Sequence, residues 1–306
     1  MTSQADPDAN TIEFSTPPDD QNYSGAAMAV DIGAATHQGH VRSNNEDHYL
    51  VTRVHRSLEN LYTNLDAAVV APPHNLTGYG LLVADGLGGM AAGEVASRIA
   101  LTKLVDLVVK TPDWIMGLKR TQHAEAVLAR MTDRFMKIDA TLKKHADQDD
   151  SLGGMGTTLT VALNLANDLI IGHVGDSRAY LFSADRLSQL TKDHTLAQTL
   201  IDAGVASNNE FWVGSHRHVL TAALGSLDSH SQPEVQRLKL GVQDQLLLCT
   251  DGLTEMVDDK IIASVLRDAN SAQRACDELI TLALAGGGLD NITVIVARFG
   301  PPATVL

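Results

Sequence analysis

Acidic residues stand where apolar runs stop. Asp85 follows GLLVA, Asp176 follows IIGHVG, Asp251 follows LLLCT, Asp290 immediately precedes NITVIVA, and Glu46-Asp47 precedes HYLV. If these runs are strands of stacked sheets, their ends can converge on one edge of a core. Two carboxylates about 4 Å apart at an effective dielectric of about 20 repel by roughly 4 kcal/mol, so four or five together need protons or cations to hold them. The donors are all hard oxygens, and the glycines after Asp85 and Asp251 leave the backbone carbonyl accessible. That chemistry favours magnesium or manganese, with calcium a further option, over zinc. Taken singly, each Asp is an ordinary cap or turn former; the repetition at strand ends is what points to a site. Arg42, four residues before Glu46, is either a surface arginine or a fork for two oxygens of a phosphate. A two-metal acidic site with an arginine clamp suits in-line attack of a metal-bound hydroxide on phosphorus, which is phosphoester hydrolysis.

The elements that must position these groups can be read from the hydrophobic pattern. AMAVDIGAATHQG, DHYLVTRVH and TGYGLLVADG read as strands, and the stretch 58–75, with Pro72-Pro73, reads as a loop insertion. Two long helical patterns follow, Gly93 to about Lys110 with Val95, Ile99, Leu104 and Leu107 at helical spacing, and Ala124 to His145, separated by Pro112. GTTLTVALNLA, DLIIGHVGD and RAYLFS suit strands, Leu196 to Ala203 a helix, and SNNEFWVGSHRH a polar flap, giving a flap over about 195–218. DQLLLCTDG and NITVIVARF are further strands, flanking helices in Asp258–Asp268 and Ser271–Ala285. Strands and helices come in groups, so an α+β layered sandwich fits better than a doubly wound parallel sheet.

Composition narrows the partners. The 306 residues carry a formal charge of −14, which argues against nucleic-acid binding by counterion release. No apolar run reaches the roughly 18 residues that span a bilayer, and the acidic first 25 residues read as a disordered leader without a signal core. Cytoplasm is the default location. Cys249 and Cys276 suit core thiols; a cysteine-based phosphatase needs arginine six positions on, where Glu255 and Leu282 stand. GLGGMA fits a dinucleotide fingerprint, but Asp106, at the expected distance, lies inside a helical pattern, and Asp85 would repel a pyrophosphate. There is no P-loop and no H-E-x-x-H pair. His216 and His218 read as an exposed loop pair in the flap, His173 as a packed core histidine, and Phe211 with Trp212 as flap packing.

GHVRSNNED, LLVADGLGGMAAGEVAS, GMGTTLTVAL, HVGDSRAYLF, LTKDHT, HVLTAALG, LLLCTDGL and GGGLDNITVIVA, in that order from about Val30 to Phe299, resemble the PPM family of metal-dependent protein serine/threonine phosphatases, called protein phosphatase 2C, in its compact bacterial form. The resemblance implies a phosphatase domain over 26–300, followed by a tail at 301–306. Its fold would be an α-β-β-α four-layer sandwich of two antiparallel sheets flanked by helices, with a dinuclear Mn²⁺ or Mg²⁺ centre at one edge. Asp85 then matches the carboxylate bridging both metals and Gly86 a carbonyl ligand, Asp251 and Asp290 the first metal's ligands, and Glu46 the second's. Asp176 with Asp251 matches a weaker third site, Asp47 an acceptor that orients metal-bound water, Arg42 the phosphate-binding arginine, and Asn291 a support beside Asp290. Phosphorylated Ser/Thr proteins and a cognate Ser/Thr kinase system are the implied partners.

Two departures stand out. Leu87 and Met90 occupy positions where relatives carry histidine, which leaves protonation of the leaving group to a metal-bound water or another group, with His40 a candidate. Ala222 replaces an arginine common in relatives. These are the support for the alternative of a phosphatase-like module that binds phosphoproteins without turnover; the complete ligand set argues for catalysis.

Overall fold

The computed structural model describes residues 28–58, 61–64, 74–88, 92–110, 121–205, 216–226 and 232–302. The leader, most of the 58–75 insertion, Met90, Pro112, Phe211 and Trp212, and the last four residues of the tail lie outside the described residues.

Chain order is β1 (Met28–His37), β2 (His48–Leu58), β3 (His74–Ala84), β4 (Gly86–Leu87), α1 (Ala92–Val109), α2 (Thr121–Gln148) and β5 (Gly156–Thr157). It continues with β6 (Leu159–Leu165), β7 (Asp168–Val174), β8 (Arg178–Ser183), β9 (Arg186–Gln189), α3 (Leu196–Asp202) and β10 (Glu234–Lys239). The described elements end with β11 (Gln245–Cys249), α4 (Asp251–Thr254), α5 (Asp259–Asp268), α6 (Ala272–Ala285) and β12 (Ile292–Pro302). Two five-stranded sheets form, ordered β1-β12-β11-β8-β9 and β10-β7-β6-β3-β2, with β4 and β5 as a small separate pair. All the pairings among the described residues are antiparallel.

Three cores follow from this stacking. Leu81, Val83, Ile171, Leu246, Leu248 and Ile295 fill the space between the sheets. On the outer face of the first sheet, Leu247, Cys249 and Val294 meet α5 and α6; on the outer face of the second, Leu82, Val161 and Ile170 meet α1 and α2. The layering is the α-β-β-α sandwich expected above. Because helices cover both outer faces, β7 is buried at every position and reads as a continuous apolar run, with little alternation.

Two details differ from the sequence reading. In α1 the fully buried face is Ala92, Ala96, Ala100 and Leu104, while Val95, Ile99 and Leu107 pack only partly buried against it. Over its first turns the helix approaches closely enough that alanines fill the space beneath it, and only at Leu101 and Leu104 do larger side chains become buried. In α2 the expected stripe is met by Met131, Phe135, Ile138 and Leu142, all buried at helical spacing. The second difference is β10, EVQRLK, which the pattern does not reveal. It is an edge strand whose Arg237 and Lys239 both pair with Asp168 at 2.7 and 2.8 Å, and charges of this kind blunt an edge against unwanted pairing.

Candidate metal centre

Register brings the acids together. In the second sheet His48 stands opposite Ala84, Val83 opposite Thr160, and Leu159 opposite Val174, so Glu46-Asp47, Asp85 and Asp176 leave the sheet at one end. In the first sheet Cys249 stands opposite both Val294 and Arg178, which sets Asp251 and Asp290 at a common end. Two cross-sheet hydrogen bonds join these ends: Thr250 Oγ1 donates to Asp47 Oδ2 at 2.8 Å, and the Glu46 amide donates to Asn291 Oδ1 at 2.8 Å.

Each acid is held by its backbone surroundings. Asp85 donates its amide to Thr158 Oγ1 at 2.9 Å, while its carbonyl accepts from the Thr158 amide at 2.9 Å and from Thr157 Oγ1 at 2.8 Å. Thr158 Oγ1 in turn meets Ser177 Oγ at 2.8 Å, linking Asp85 to the turn that carries Asp176. Thr250 and Thr293 exchange hydrogen bonds of 3.1 and 3.0 Å just ahead of Asp251. Asn291 is the most connected group: its Nδ2 donates to the Gln38 and Asn44 carbonyls, both at 2.8 Å, and its amide donates to Asp290 Oδ1 at 2.8 Å. It thereby fixes the loop that carries Arg42 and Glu46 to the start of β12.

Glycine is required where the chains pass closest. A Cβ on Gly86 would collide with the Gly93 carbonyl and lie 2.8 Å from the Glu46 carbonyl oxygen, and one on Gly93 would lie 2.6 Å from Glu46 Oε2. Backbone from β4, α1 and the Glu46 loop thus closes on one point beside the acids.

The electrostatics of this edge demand compensation. Burial pushes the Asp85 carboxyl well above the usual range, and repulsion by Asp47, Asp251, Asp176 and Asp290 adds to it. Asp47 is raised to about 7 by burial, with hydrogen bonds from Thr293 and Thr250 pulling it back and Asp251 and Asp290 pushing it further. Burial raises Asp251 to about 6, with Asp290 and Glu255 adding. Asp176, also buried, is pushed up by desolvation and then by Asp251 and Asp193; Glu46 rises too, mainly by burial. Asp47 Oδ1 and Asp251 Oδ1 are buried with no hydrogen-bond partner. Orphaned carboxylate oxygens beside mutually repelling acids fit hard divalent cations.

The predicted residues all reach this edge, with one difference. Arg42, 54% exposed in its side chain, is ion-paired with Asp290, Nη2 to Oδ2 at 2.6 Å, a bond that raises its pKa before the smaller pull of Asp85 and Glu46. His40 sits on the same loop, its amide donating to the Gly288 carbonyl at 2.7 Å. Leu87 lies in β4, and Ala222 packs partly buried on the α1–α2 core. His173 is a core histidine, bonded to Thr160 Oγ1 and the Lys192 carbonyl and lowered to about 4 by burial. Sequence reasoning missed the threonines 157, 158, 250 and 293. Their signal was present: hydroxyls fully buried at the ends of apolar runs must have partners.

Beyond Asp176 and Asp251 the edge opens into a cavity of about 310 Å³, whose wall includes Arg178, Asp193, Gln198, Arg217 and Glu255. Arg178 is locked to Asp193 by a forked pair, with contacts of 2.6–3.0 Å.

A four-layer sandwich with a cation-fitting acidic edge defines the class of metal-dependent phosphatase domains. A family model described as protein phosphatase 2C matches residues 66–280. The chain is 36% identical over 217 residues to the serine/threonine protein phosphatase PstP of Mycobacterium tuberculosis, covering 71% of this chain and 40% of that protein. It is 33% identical over 218 residues to the serine/threonine phosphatase stp of Listeria welshimeri, covering 71% of this chain and 83% of that one. The chain thus spans less than half of the mycobacterial protein's length and most of the Listeria one's. The crystal structure of the PstP catalytic domain in complex with two manganese ions superposes with a TM-score of 0.68 at 32% identity, covering 89% of this chain and 99% of that one. The chain belongs to the protein phosphatase 2C family.

Proposed function

We propose that this chain hydrolyses phosphoserine and phosphothreonine in phosphoproteins, in opposition to a Ser/Thr kinase, using two Mn²⁺ or Mg²⁺ ions and a weaker third. The observation that carries the reading is the convergence of Glu46, Asp47, Asp85, Asp176, Asp251 and Asp290, from both sheets, with buried carboxylate oxygens that have no partner in the protein. In this reading Asp85, with the Gly86 carbonyl beside it, would contribute to holding both cations, Asp251 and Asp290 would hold the first, Glu46 the second, and Asp176 with Asp251 the third. Bound there, the cations supply Lewis acidity and lower the pKa of water.

The remaining work falls to the protein. Asp47, fixed by Thr250, accepts a hydrogen bond from the attacking water and orients it. Arg42 neutralises the non-bridging oxygens of the phosphate. Its pairing with Asp290 does not obstruct this, because an ion pair this exposed holds by only about 0–1 kcal/mol and a phosphate offers the guanidinium two oxygens. No phosphocysteine intermediate is expected: Cys249 and Cys276 are buried, and burial pushes each thiol up to about 12. The catalytic unit in this reading runs over 26–300, with the flap over about 195–218, and it works in the cytoplasm. Among the described residues no helix is long and apolar enough to cross a membrane.

The test is release of phosphate from a phosphothreonine peptide by metal-stripped protein, with and without millimolar Mn²⁺. Manganese-dependent release that thiol blockers leave untouched is expected. Manganese binding without release would instead favour a phosphoprotein-binding module.

A further inference from the structure

The short strand β4 belongs to neither large sheet, so the backbone at Gly86 depends on what holds its partner, β5. Thr157 of β5 stands opposite Gly86 on one side and opposite Leu224 on the other. With Leu224 it exchanges two backbone hydrogen bonds, each 2.9 Å long. The next residue, Gly225, has a left-handed φ of +85°, and a Cβ there would stand 2.9 Å from Leu142 Cβ and 3.1 Å from the Met155 carbonyl oxygen. The turn is thus pressed against α2. It is also bonded to α2, because the buried Gly225 amide donates to Asp139 Oδ1 at 2.8 Å.

Asp139 lies at the margin of the buried stripe of α2, one turn from Phe135 and from Leu142. Its side chain is 13% exposed, and its two oxygens have separate partners: Oδ2 pairs with Lys143 Nζ at 3.0 Å, and Oδ1 takes the Gly225 amide. The Lys143 pair is the ordinary i,i+4 support of a helix. The Gly225 bond is different in kind, since it joins a charged acceptor to a buried amide 86 residues away, and such bonds are the stronger ones. From Gly225 an unbroken series of bonds reaches the site. Leu224 holds Thr157, and the Asp85 carbonyl accepts from Thr157 Oγ1 at 2.8 Å and from the Thr158 amide at 2.9 Å. A turn that slipped from α2 would carry β5 and the Asp85–Gly86 backbone with it.

We propose that Asp139 is a positioning residue for the metal centre: through Gly225 and β5 it sets the Asp85 and Gly86 backbone, and with it the affinity for cations. The inference rests on the ligand roles proposed for Asp85 and Gly86 but does not require turnover. The test is equilibrium dialysis of manganese against the full chain, beside phosphate release from a phosphothreonine peptide over the same manganese concentrations. Asp139→Ala should raise the manganese concentration at half-occupancy by about tenfold, with turnover at saturating manganese within about threefold of wild type. Asp139→Asn keeps an oxygen for the Gly225 amide and gives up only the charge facing Lys143, so it should bind manganese as the wild type does. Thr157→Val cuts the same series further on, and its effect combined with Asp139→Ala should fall short of the product of the two single effects. Ile138→Ala, beside Asp139 in the α2 core, should lower the thermal midpoint in chelator and leave the manganese half-occupancy unmoved, which is how a merely structural Asp139 would behave. If Asp139→Ala does not fold, Asp139→Glu, which keeps the charge but displaces the carboxylate by one carbon, should shift half-occupancy in the same direction. Unmoved half-occupancy in a folded Asp139→Ala or Asp139→Glu, Asp139→Asn as impaired as Asp139→Ala, or fully independent effects in the double variant would overturn the proposal. Manganese bound by the wild type without phosphate release would sink the hydrolytic reading and leave the occupancy comparison standing.

Discussion

The acidic edge has two flanks of different construction. On one, the loop from Gln38 to Asp47 is bonded to β12 through Asn291, to α4 through Thr250, and to α1 through Asn44 Nδ2, which donates to Glu94 Oε2 at 2.8 Å. Backbones there touch so closely that Gly86 and Gly93 admit no side chain. On the other, Asp176 and Asp251 face a cavity whose wall is drawn from β8, α3, α4 and Arg217, which is exposed like its neighbour His218. Under the proposed function the closed flank would fix atoms whose misplacement costs catalysis, and the open flank would leave room for phosphoproteins of different sequence, so that rigid positioning and adaptable recognition would be separated within one edge.

Substitutions can break or sharpen this contrast. Asp251→Ala, in the wall common to both flanks, should cost three or more orders of magnitude in turnover through lost metal. Near-normal phosphate release at saturating Mn²⁺ would refute its ligand role. Asn291→Ala removes the hub of the closed flank; a loss of about 10–100-fold in kcat/KM is expected, together with a lower thermal midpoint, and wild-type kinetics would mean that the loop holds itself. Arg42→Ala should raise KM for a phosphopeptide about tenfold with kcat little changed. If kcat fell and KM did not, the arginine would act on the transition state alone.

Proton linkage gives a smaller effect. Asp251 and Asp47, at about 6 and about 7, hold protons in the folded chain that the unfolded chain sheds near 4. The metal-free protein should therefore lose stability as pH rises from about 4 to about 7. Cation binding needs the deprotonated acids, so the stabilisation by Mn²⁺ should grow over the same range. Thermal midpoints in chelator and in manganese at about pH 5 and about pH 8 test both signs; a metal-free midpoint that rises with pH would contradict the burial of these acids. Smallest of all, Gln198→Ala on the open flank should change hydrolysis of a small phosphoester by less than about twofold. A larger loss would show that this flank, too, positions the reacting atoms.

Much of this is legible in the sequence because the acids sit at the ends of strongly apolar runs, and strand ends are fixed by the register of their sheets. Asp85, Asp176 and Asp251 each follow a run buried along its length, so period and placement agree. The supports are harder to read. Asn291 bonds to groups up to 253 residues away, and no local pattern encodes such a contact. The alanine face of α1 is hidden because a hydrophobic scale weights Val95 and Ile99 above Ala96 and Ala100, whereas close approach selects for smallness. β10 is obscured by the charges that protect its edge. His218 reads as a plain loop residue because its partner Glu255, whose Oε1 lies 3.3 Å from His218 Nδ1, belongs to another element.

The pairing of β1 with β12 has a consequence for synthesis. Thr36 and Thr293 meet hydroxyl to hydroxyl across 257 residues, and the loop after β1 is anchored by Asn291. A nascent chain can pair β2, β3, β6 and β7 of its second sheet before β10 is made, but β1 and the Arg42 loop have no place to dock until β12 leaves the ribosome. At roughly 5–20 residues per second, that wait lasts on the order of tens of seconds. A chain arrested before β12 should release no phosphate even in manganese, so under the proposed function an incompletely made chain would leave phosphorylation marks untouched.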